Sequence, residues 1–415
     1  MARKMKDSSI EWIGEIPEGW EVVPVKRLCT MQAGKNLTSE QIAPEGTYPV
    51  YGGNGIRGFF SDYNCVGQFL TVGRQGALCG NVHKINGKVW ATEHAVITAP
   101  SSYAILDFLY YLLIGMDLNQ YVSSTAAQPG LAVGTLLNLK TCYPCSTLEQ
   151  TQISNYLNAK CSEIDTMLSR TRSSIEEYKK LKQAVITQAV TKGVRGEREM
   201  KNSKIEWVGN IPIDWNTIKL KYCTYIRARL GWKALKADEY VEIGFPFLSA
   251  FNIVNNTLQF TNLNYINQFR YDESPEIQLS NGDVLLVKDG AGIGKCAIVE
   301  NMPMPSTVNG SIAVVSVTNS LIPKYLYYYF LSKMFQQHID LLKDGMGVPH
   351  LFQSDLKEIK IAFPSKDEQK EIADYLDGKC AEIDKLIVKK EQLVKELENY
   401  KKSLIYEVVT GKREV

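Results

Sequence analysis

Histidine is scarce, four in 415 residues. His83, His94, His338 and His350 form no ligand pair of the kind a zinc site needs, so no metal is expected. Cysteines number nine, an odd count at irregular spacing, which argues against a disulfide framework. No apolar run reaches membrane-spanning length and no secretory leader is recognisable, so a soluble cytoplasmic chain is expected. Charge of neither sign dominates: 47 basic against 45 acidic side chains leave a net +2. Any surface for a polyanion must be local. One candidate is the run Lys179–Lys201, in which Lys179, Lys180, Lys182, Lys192, Arg195, Arg198 and Lys201 face only Glu197 and Glu199; a solvated helix end and linker reads equally well.

Catalytic signatures are missing too. There is no Asn/Asp-Pro-Pro-Tyr/Phe tetrad to grip a flipped adenine, no glycine motif for a methyl donor, no helicase phosphate loop and no carboxylate–lysine cluster for metal-dependent cleavage. The stretch Asp289-Gly290-Ala291-Gly292-Ile293-Gly294-Lys295-Cys296 imitates a phosphate loop, but Asp289 holds the first glycine position and Cys296 replaces the magnesium-binding Ser or Thr. Cys142-Tyr143-Pro144-Cys145 has redox spacing at a helix start. Its counterpart Ala362-Phe363-Pro364-Ser365 has no cysteine, so the architecture does not need a redox pair.

What is present is a duplication. Ile10-Glu11-Trp12-Ile13-Gly14-Glu15-Ile16-Pro17 with Trp20 returns as Ile205-Glu206-Trp207-Val208-Gly209-Asn210-Ile211-Pro212 with Trp215, at an offset of 195 (207 minus 12). Glu149-Gln150, Tyr156-Leu157, Glu163-Ile164-Asp165 and Val190-Thr191 return as Glu368-Gln369, Tyr375-Leu376, Glu382-Ile383-Asp384 and Val409-Thr410, at an offset of 219 (380 minus 161). The second middle region is therefore longer by 219 minus 195, or 24 residues. With 45% hydrophobic residues the chain can bury two ordinary cores.

Each half closes with a long helix. Leu157, Cys161, Ile164, Leu168, Thr171, Ile175, Tyr178 and Val185 follow alternating four- and three-residue steps, and Leu376, Cys380, Ile383, Ile387, Val394, Leu397, Leu404 and Val408 keep the same phase. This predicts a coiled-coil seam, each helix the other's partner; the alternative is an amphipathic helix lying on a globular core. Some 40 residues would make a rod of about 60 Å. Lys182 and Lys401 fall on the seam, and Lys390 falls on it opposite Thr171, so the rod is expected to loosen or bind something there.

The middle regions read as mixed α and β, with apolar strands such as Phe69–Val72 and Val284–Val287 broken by glycine turns. Aromatic helices at Phe108–Leu113 and Tyr325–Phe330 could stack bases but suit a core better. A strand ending in proline precedes each long helix, at Leu136–Pro144 and Leu356–Pro364. Polar turns offer groups for base edges: Arg74 and Gln75 in the glycine turn Gly73–Gly80, and Lys288 and Asp289 in its counterpart, Arg suiting guanine, Gln adenine and Asp cytosine. The other reading of these turns is a plain β-turn with solvated charges. Asn54 and Arg57 sit on the glycine-rich turn Tyr48–Gly58; Arg227, Arg229, Trp232, Lys233 and Lys236 group cations around an aromatic. His83, Lys84, His94, Asn309, Lys343 and His350 complete the candidate DNA-binding set.

Head, variable region, long helix, then the same again: over nearly its full length the chain resembles the specificity subunit of type I restriction-modification systems. The heads with their tryptophans and the proline, Glu-Gln, Tyr-Leu, Glu-Ile-Asp series carry the resemblance. Tyr51–Ile56 and Trp90-Ala91-Thr92-Glu93-His94-Ala95 add to it, looking like pieces of that family's target recognition domains. It implies an α+β fold with two mixed α/β target recognition domains separated by an antiparallel coiled coil of two long helices in a pseudo-two-fold tandem repeat. The expected boundaries are head and recognition domain 1–145, first long helix 146–192, linker 193–203, second head and recognition domain 204–364, second long helix 365–412. The implied role is non-catalytic: recognition of a bipartite DNA target with a fixed gap, directing adenine methylation and cleavage by partners. Those partners would be two copies of a modification subunit and two of a restriction subunit, carrying S-adenosylmethionine, ATP and Mg, with no cofactor on this chain. Two other readings are a self-contained methyltransferase or endonuclease, and a coiled-coil scaffold without a DNA role.

Overall fold

The structure, a computed structural model, describes residues 3–76, 79–122, 130–229, 235, 237–342 and 350–415. It divides into two units, Met1–Arg172 with Glu391–Val415, and Ser173–Lys390.

The first unit opens on a small hairpin, Met5–Asp7 against Glu15–Pro17. Trp20–Pro24 then pairs antiparallel with Lys140–Pro144, the strand that leads into the long helix. Between them lies a six-stranded sheet in the order Cys29–Ala33, Ala95–Pro100, Cys65–Gly73, Val82–Ala91, Tyr48–Gly52, Gly55–Phe60. One contact in it is parallel, Val50 with Trp90 and Tyr51 with Ala91. Helix Leu106–Gly115 buries Phe108, Leu109 and Leu112 completely, so its aromatics serve the core.

The second unit repeats the plan. Met200–Asn202 pairs with Asn210–Pro212, and Asn216–Lys219 with Lys360–Phe363. A four-stranded sheet runs Thr224–Arg227, Ile312–Val317, Val284–Val287, Cys296–Ile298, beside a three-stranded sheet Asn264–Ile266, Phe245–Leu248, Thr307–Val308. Val284–Val287 is wholly buried, as an unbroken apolar run requires. Tyr325, Tyr329 and Phe330 on helix Pro323–Leu331 are fully buried.

Helices Thr147–Lys192 and Lys366–Val409 start alike. Ser146 and Ser365 accept the amides of Glu149 and Glu368, an N-cap three residues before an acid. Here the acid does not close the capping box. Glu149 accepts from the Trp20 indole (3.0 Å) and Arg3; Glu368 accepts from the Trp215 indole (2.9 Å) and Arg198. The next residue clamps the aromatic helix: Gln150 accepts from the Ile105 amide and donates to Tyr103 and Pro144 carbonyls, and Gln369 does the same with Ile322, Ser320 and Pro364. The repeated Glu-Gln pair thus staples head and domain to the helix start.

Each unit also receives the far end of the other half's helix. Leu404, Ile405, Val408 and Val409 lie in the first unit's core with Trp20, Phe108 and Leu157; Ile186, Ala189 and Val190 lie in the second unit's core with Trp215, Tyr325 and Leu376. Gly193 and Gly411 follow the two helices with φ of 75° and 71°, the left-handed residue glycine suits best. A Cβ there would stand 3.2 Å from the Trp215 ring and 3.3 Å from the Trp20 ring, respectively.

The seam residues Leu157, Ile164, Leu168, Val394, Leu397 and Leu404 in the first unit, and Ile175, Tyr178, Val185, Leu376, Ile383 and Ile387 in the second, are all buried or half-buried. Their opening turns pack on the globular core as well as on a helix. Each seam lysine has a partner. Lys401 bonds both Asp165 oxygens (2.6 and 2.7 Å), Lys182 bonds both Asp384 oxygens (2.7 and 2.8 Å), and Lys390 lies 5.7 Å from the Tyr178 ring centre.

Two expectations need correction. Leu136–Pro144 and Leu356–Pro364 are strand only in their second halves; short helices Val133–Asn138 and Gln353–Glu358 come first, because the available strand partners are only four or five residues long. The stretch 193–203 is not a plain connector, since Arg198 and strand Met200–Asn202 belong to the second head. Among the described residues no helix is long and apolar enough to cross a membrane.

Candidate nucleic-acid interface

In the first unit, backbone hydrogen bonds bring several chain reversals together. The Thr92 amide donates to Tyr51 O, the Arg74 amide to His94 O and the Leu131 amide to Arg74 O, each at 2.9 Å, while Gln75 bridges to Gly130. Gly53 fits against Gln75 so closely that a Cβ would fall 2.8 Å from its carbonyl oxygen.

The same hydrogen bonds recur in the second unit on different side chains. Asn309 donates to Leu248 O (2.8 Å), Lys288 to Ser311 O (2.8 Å) and Leu351 to Lys288 O (2.9 Å), while Asp289 bridges to His350. Both glycine turns close alike, Gly80 to Gly73 O and Gly294 to Val287 O, with Gly80 and Gly294 at φ of 92° and 91°. Arg74 therefore corresponds to Lys288, Gln75 to Asp289, Thr92 to Asn309 and His94 to Ser311.

Several candidates stand on these loops. Asn54 is exposed at the turn tip and accepts from Asn81 (2.8 Å); Arg57 is exposed on the following strand. Arg74, Gln75 and His94 are half-buried, His94 within 3.1 Å of Glu93. His83 packs beside the Tyr51 ring, and burial pushes its imidazole below the ordinary value. The Thr92 hydroxyl, His83 Nε2 and His94 Nδ1 are buried and find no partner among the described residues. A buried polar atom is costly until something bonds it, so this cluster of loops suits a polar ligand. In the second unit Lys288 reaches Asp289 (2.7 Å), His350 Nδ1 rests against the same carboxylate, and Asn309 accepts from Ser311.

Other candidates are brought elsewhere. Lys84 alternates with His83 along its strand and so points to the opposite face; it pairs with Asp107 (2.9 Å) and lies 4.5 Å from the Tyr110 ring centre. Arg227 donates to Ser316 (2.6 Å) and pairs with buried Asp283. Arg229 is buried over Phe247, its guanidinium lowered from its ordinary value by burial. Trp232, Lys233, Lys236 and Lys343 lie outside the described residues. Of the basic run, Lys179, Lys182, Arg195 and Arg198 face Glu176, Asp384, Glu371 and Glu368, which favours its structural reading. Asn81, Ser311 and the turn Ser249–Asn252 were not foreseen; they surface only when the two units are matched by hydrogen-bond pattern.

Among the described residues no three His, Cys, Asp or Glu side chains are placed to hold a metal ion. Cys142 is buried with its thiol pushed up to about 12 by burial, while Cys145 is exposed.

Comparison with known proteins gives this geometry a family. The family model described as "Type I restriction modification DNA specificity domain" matches residues 17–177 and 212–398. The EcoprrI specificity subunit of Escherichia coli is 40% identical over 156 residues, 37% of this chain and 36% of that protein. The MjaVIII specificity subunit of Methanocaldococcus jannaschii is 26% identical over 96% of this chain and 93% of its own length. Among solved structures, a chain from a study of type I system assembly and conformational transition superposes with a TM-score of 0.71 at 15% identity, covering 96% of this chain and 99% of that one. The HsdS subunit from Thermoanaerobacter tengcongensis gives 0.51 at 15% identity, covering 98% and 100%. The curated relatives named here are specificity subunits, which disfavours the self-contained methyltransferase or endonuclease. Duplicated heads, equivalent loop ends and a family match across both halves lead to one assignment: the chain belongs to the type I restriction-modification DNA specificity family, as a targeting subunit and not an enzyme.

Proposed function

We propose that this subunit reads a bipartite DNA target, one half-site for each globular domain, and that its two long helices form an antiparallel coiled coil that sets the gap between them. One observation carries the reading: a single loop framework recurs in both units with a different set of side chains on each. A common scaffold with unlike reading groups suits two unlike half-sites, since base edges are distinguished by donor and acceptor pattern. The helix pairing is supported within the first unit, where Asp165 meets Lys401 and Arg172 meets Glu398, partners running in opposite chain directions. In the second unit Lys182 meets Asp384; these residues are Asp165 and Lys401 moved by 219.

In this reading the domains follow the boundaries given above, apart from the second head, which starts near Arg198. The helices also receive two copies of a modification subunit, with a restriction subunit joining for cleavage. S-adenosylmethionine, ATP and Mg belong to those partners, and the assembly works in the cytoplasm. A rigid spacer turns two weak contacts into one strong one by raising the effective concentration of the second.

The test is single-molecule sequencing of methylated adenines in the host, with and without the chain. A split motif of constant gap should disappear when the chain is removed; an unchanged set of methylated sites defeats the proposal.

A further inference from the structure

The turn Ser249–Asn252 stands in the second unit where Gly52–Asn54 stands in the first. Leu248 and Tyr51 accept equivalent amides just before it, and Ala250 lies against Gly292, whose added Cβ would be 3.8 Å away, as Gly53 lies against Gln75. One residue on, the first unit presents Asn54. The second presents Phe251, 92% exposed.

Such a ring would ordinarily fold down onto its own domain, where Phe330 and Phe335 are fully buried. It is prevented from doing so by its turn. The Ser249 amide and hydroxyl both donate to Asn252 Oδ1 (2.9 and 3.2 Å), and the Asn252 amide returns a bond to Ser249 O (2.9 Å). Asn252 is itself buried, and it is tied to Gln259 (2.8 Å) and Thr261 (3.3 Å). An apolar group held out on a pinned turn, whose Ala250 faces the same Gly292 that the exposed Lys295 stem approaches, is arranged to enter something. A lysine on the neighbouring loop suits phosphate; a flat apolar ring suits the space between stacked bases.

We infer that Phe251 is a wedge that inserts into the base stack of the half-site read by the second domain. The favoured place is a pyrimidine–purine step, which unstacks most easily. The first domain, with an amide at the same position, leaves its half-site stacked. This inference rests on the DNA-reading function proposed above.

The experiment uses the full chain assembled with a type I modification subunit, and duplexes carrying the mapped target with 2-aminopurine placed in turn at each purine of both half-sites. Wild-type complex should raise the fluorescence at one step of one half-site only. Phe251→Ala should abolish the rise and weaken binding by about tenfold, the worth of one stacked base, with an unchanged salt dependence because no phosphate contact is lost. Phe251→Trp should keep both. Melting temperature should not move in either variant, since the ring is exposed. Wild-type fluorescence and affinity in Phe251→Ala overturn the wedge and leave DNA reading intact. So does the absence of any fluorescence rise on a target that wild-type complex binds. If wild-type complex shows no salt-dependent binding to the duplex, the DNA-reading proposal fails first.

Discussion

Glu149 and Glu368 are the same residue of the repeat and each holds a tryptophan indole and an arginine, Glu368 with Arg195 also 3.9 Å away, yet their surroundings differ. The Glu368 side chain is 1% exposed and that of Glu149 is 28% exposed, with Arg198 at 17% and Arg3 at 31%. Removing the buried carboxylate leaves the Trp215 indole without its acceptor and the Arg198 guanidinium with only Asp214 and the Lys192 carbonyl at 3.4 Å, whereas water can replace much of what Glu149 supplies. Glu368→Ala should therefore cost about 3–5 kcal/mol of stability, and Glu149→Ala roughly 1–2 kcal/mol, as read from thermal unfolding. Equal losses would mean that burial does not set the difference. The Glu-Gln pair was legible in the sequence because it repeats. Its partners were not, since Trp20 stands 129 and Trp215 153 positions from its glutamate and no spacing rule connects them.

At the scale of the element, the seam lysines are legible as departures from an apolar pattern, but their partners are not. A lysine stem can lie along an apolar seam while its ammonium reaches outward; here it meets an aspartate on the facing helix. Lys182 is 27% and Asp384 51% exposed, Lys401 29% and Asp165 56%, so screening keeps each pair modest. A double-mutant cycle on Lys182→Ala and Asp384→Ala should give a coupling of about 0.5 kcal/mol, and the equivalent cycle on Lys401 and Asp165 the same within error. A coupling indistinguishable from zero in both would reduce the pairs to incidental contacts. The loop ends were legible only in part. Counting equivalent residues, the offset is 195 at the heads, 197 at Tyr51 and Leu248, 214 at Gly73 and Val287, 217 at Thr92 and Asn309, and 219 along the helices. Most of the 24 extra residues therefore fall between Leu248 and Val287, where the second unit carries strand Asn264–Ile266 and helix Gln268–Asp272. A drifting offset hides equivalence from any fixed-shift comparison, and so nothing in the sequence alone singles out Asn81 and Ser311.

For the whole molecule the duplication carried the architecture in plain sight, because heads and helix ends meet the same partners twice and so keep the same residues. The middles meet different surroundings and differ. If the two helices act as a spacer, removing seven residues from the exposed middle of each should shorten the gap between half-sites and leave the half-site sequences as they were, read from the methylated adenines of the host. Altered half-site sequences would show that the helices shape the reading surfaces themselves.

The borrowed helix ends have a consequence for how the polypeptide matures. The second unit is one unbroken stretch, Ser173–Lys390, while the first awaits Glu391–Val415. During translation the amino-terminal lobe emerges with a gap where Leu404, Ile405, Val408 and Val409 belong, and the lobe made after it can close first. Order of synthesis and order of completion can thus be reversed, and a chain cut before Leu404 leaves unfinished the unit that was made earlier.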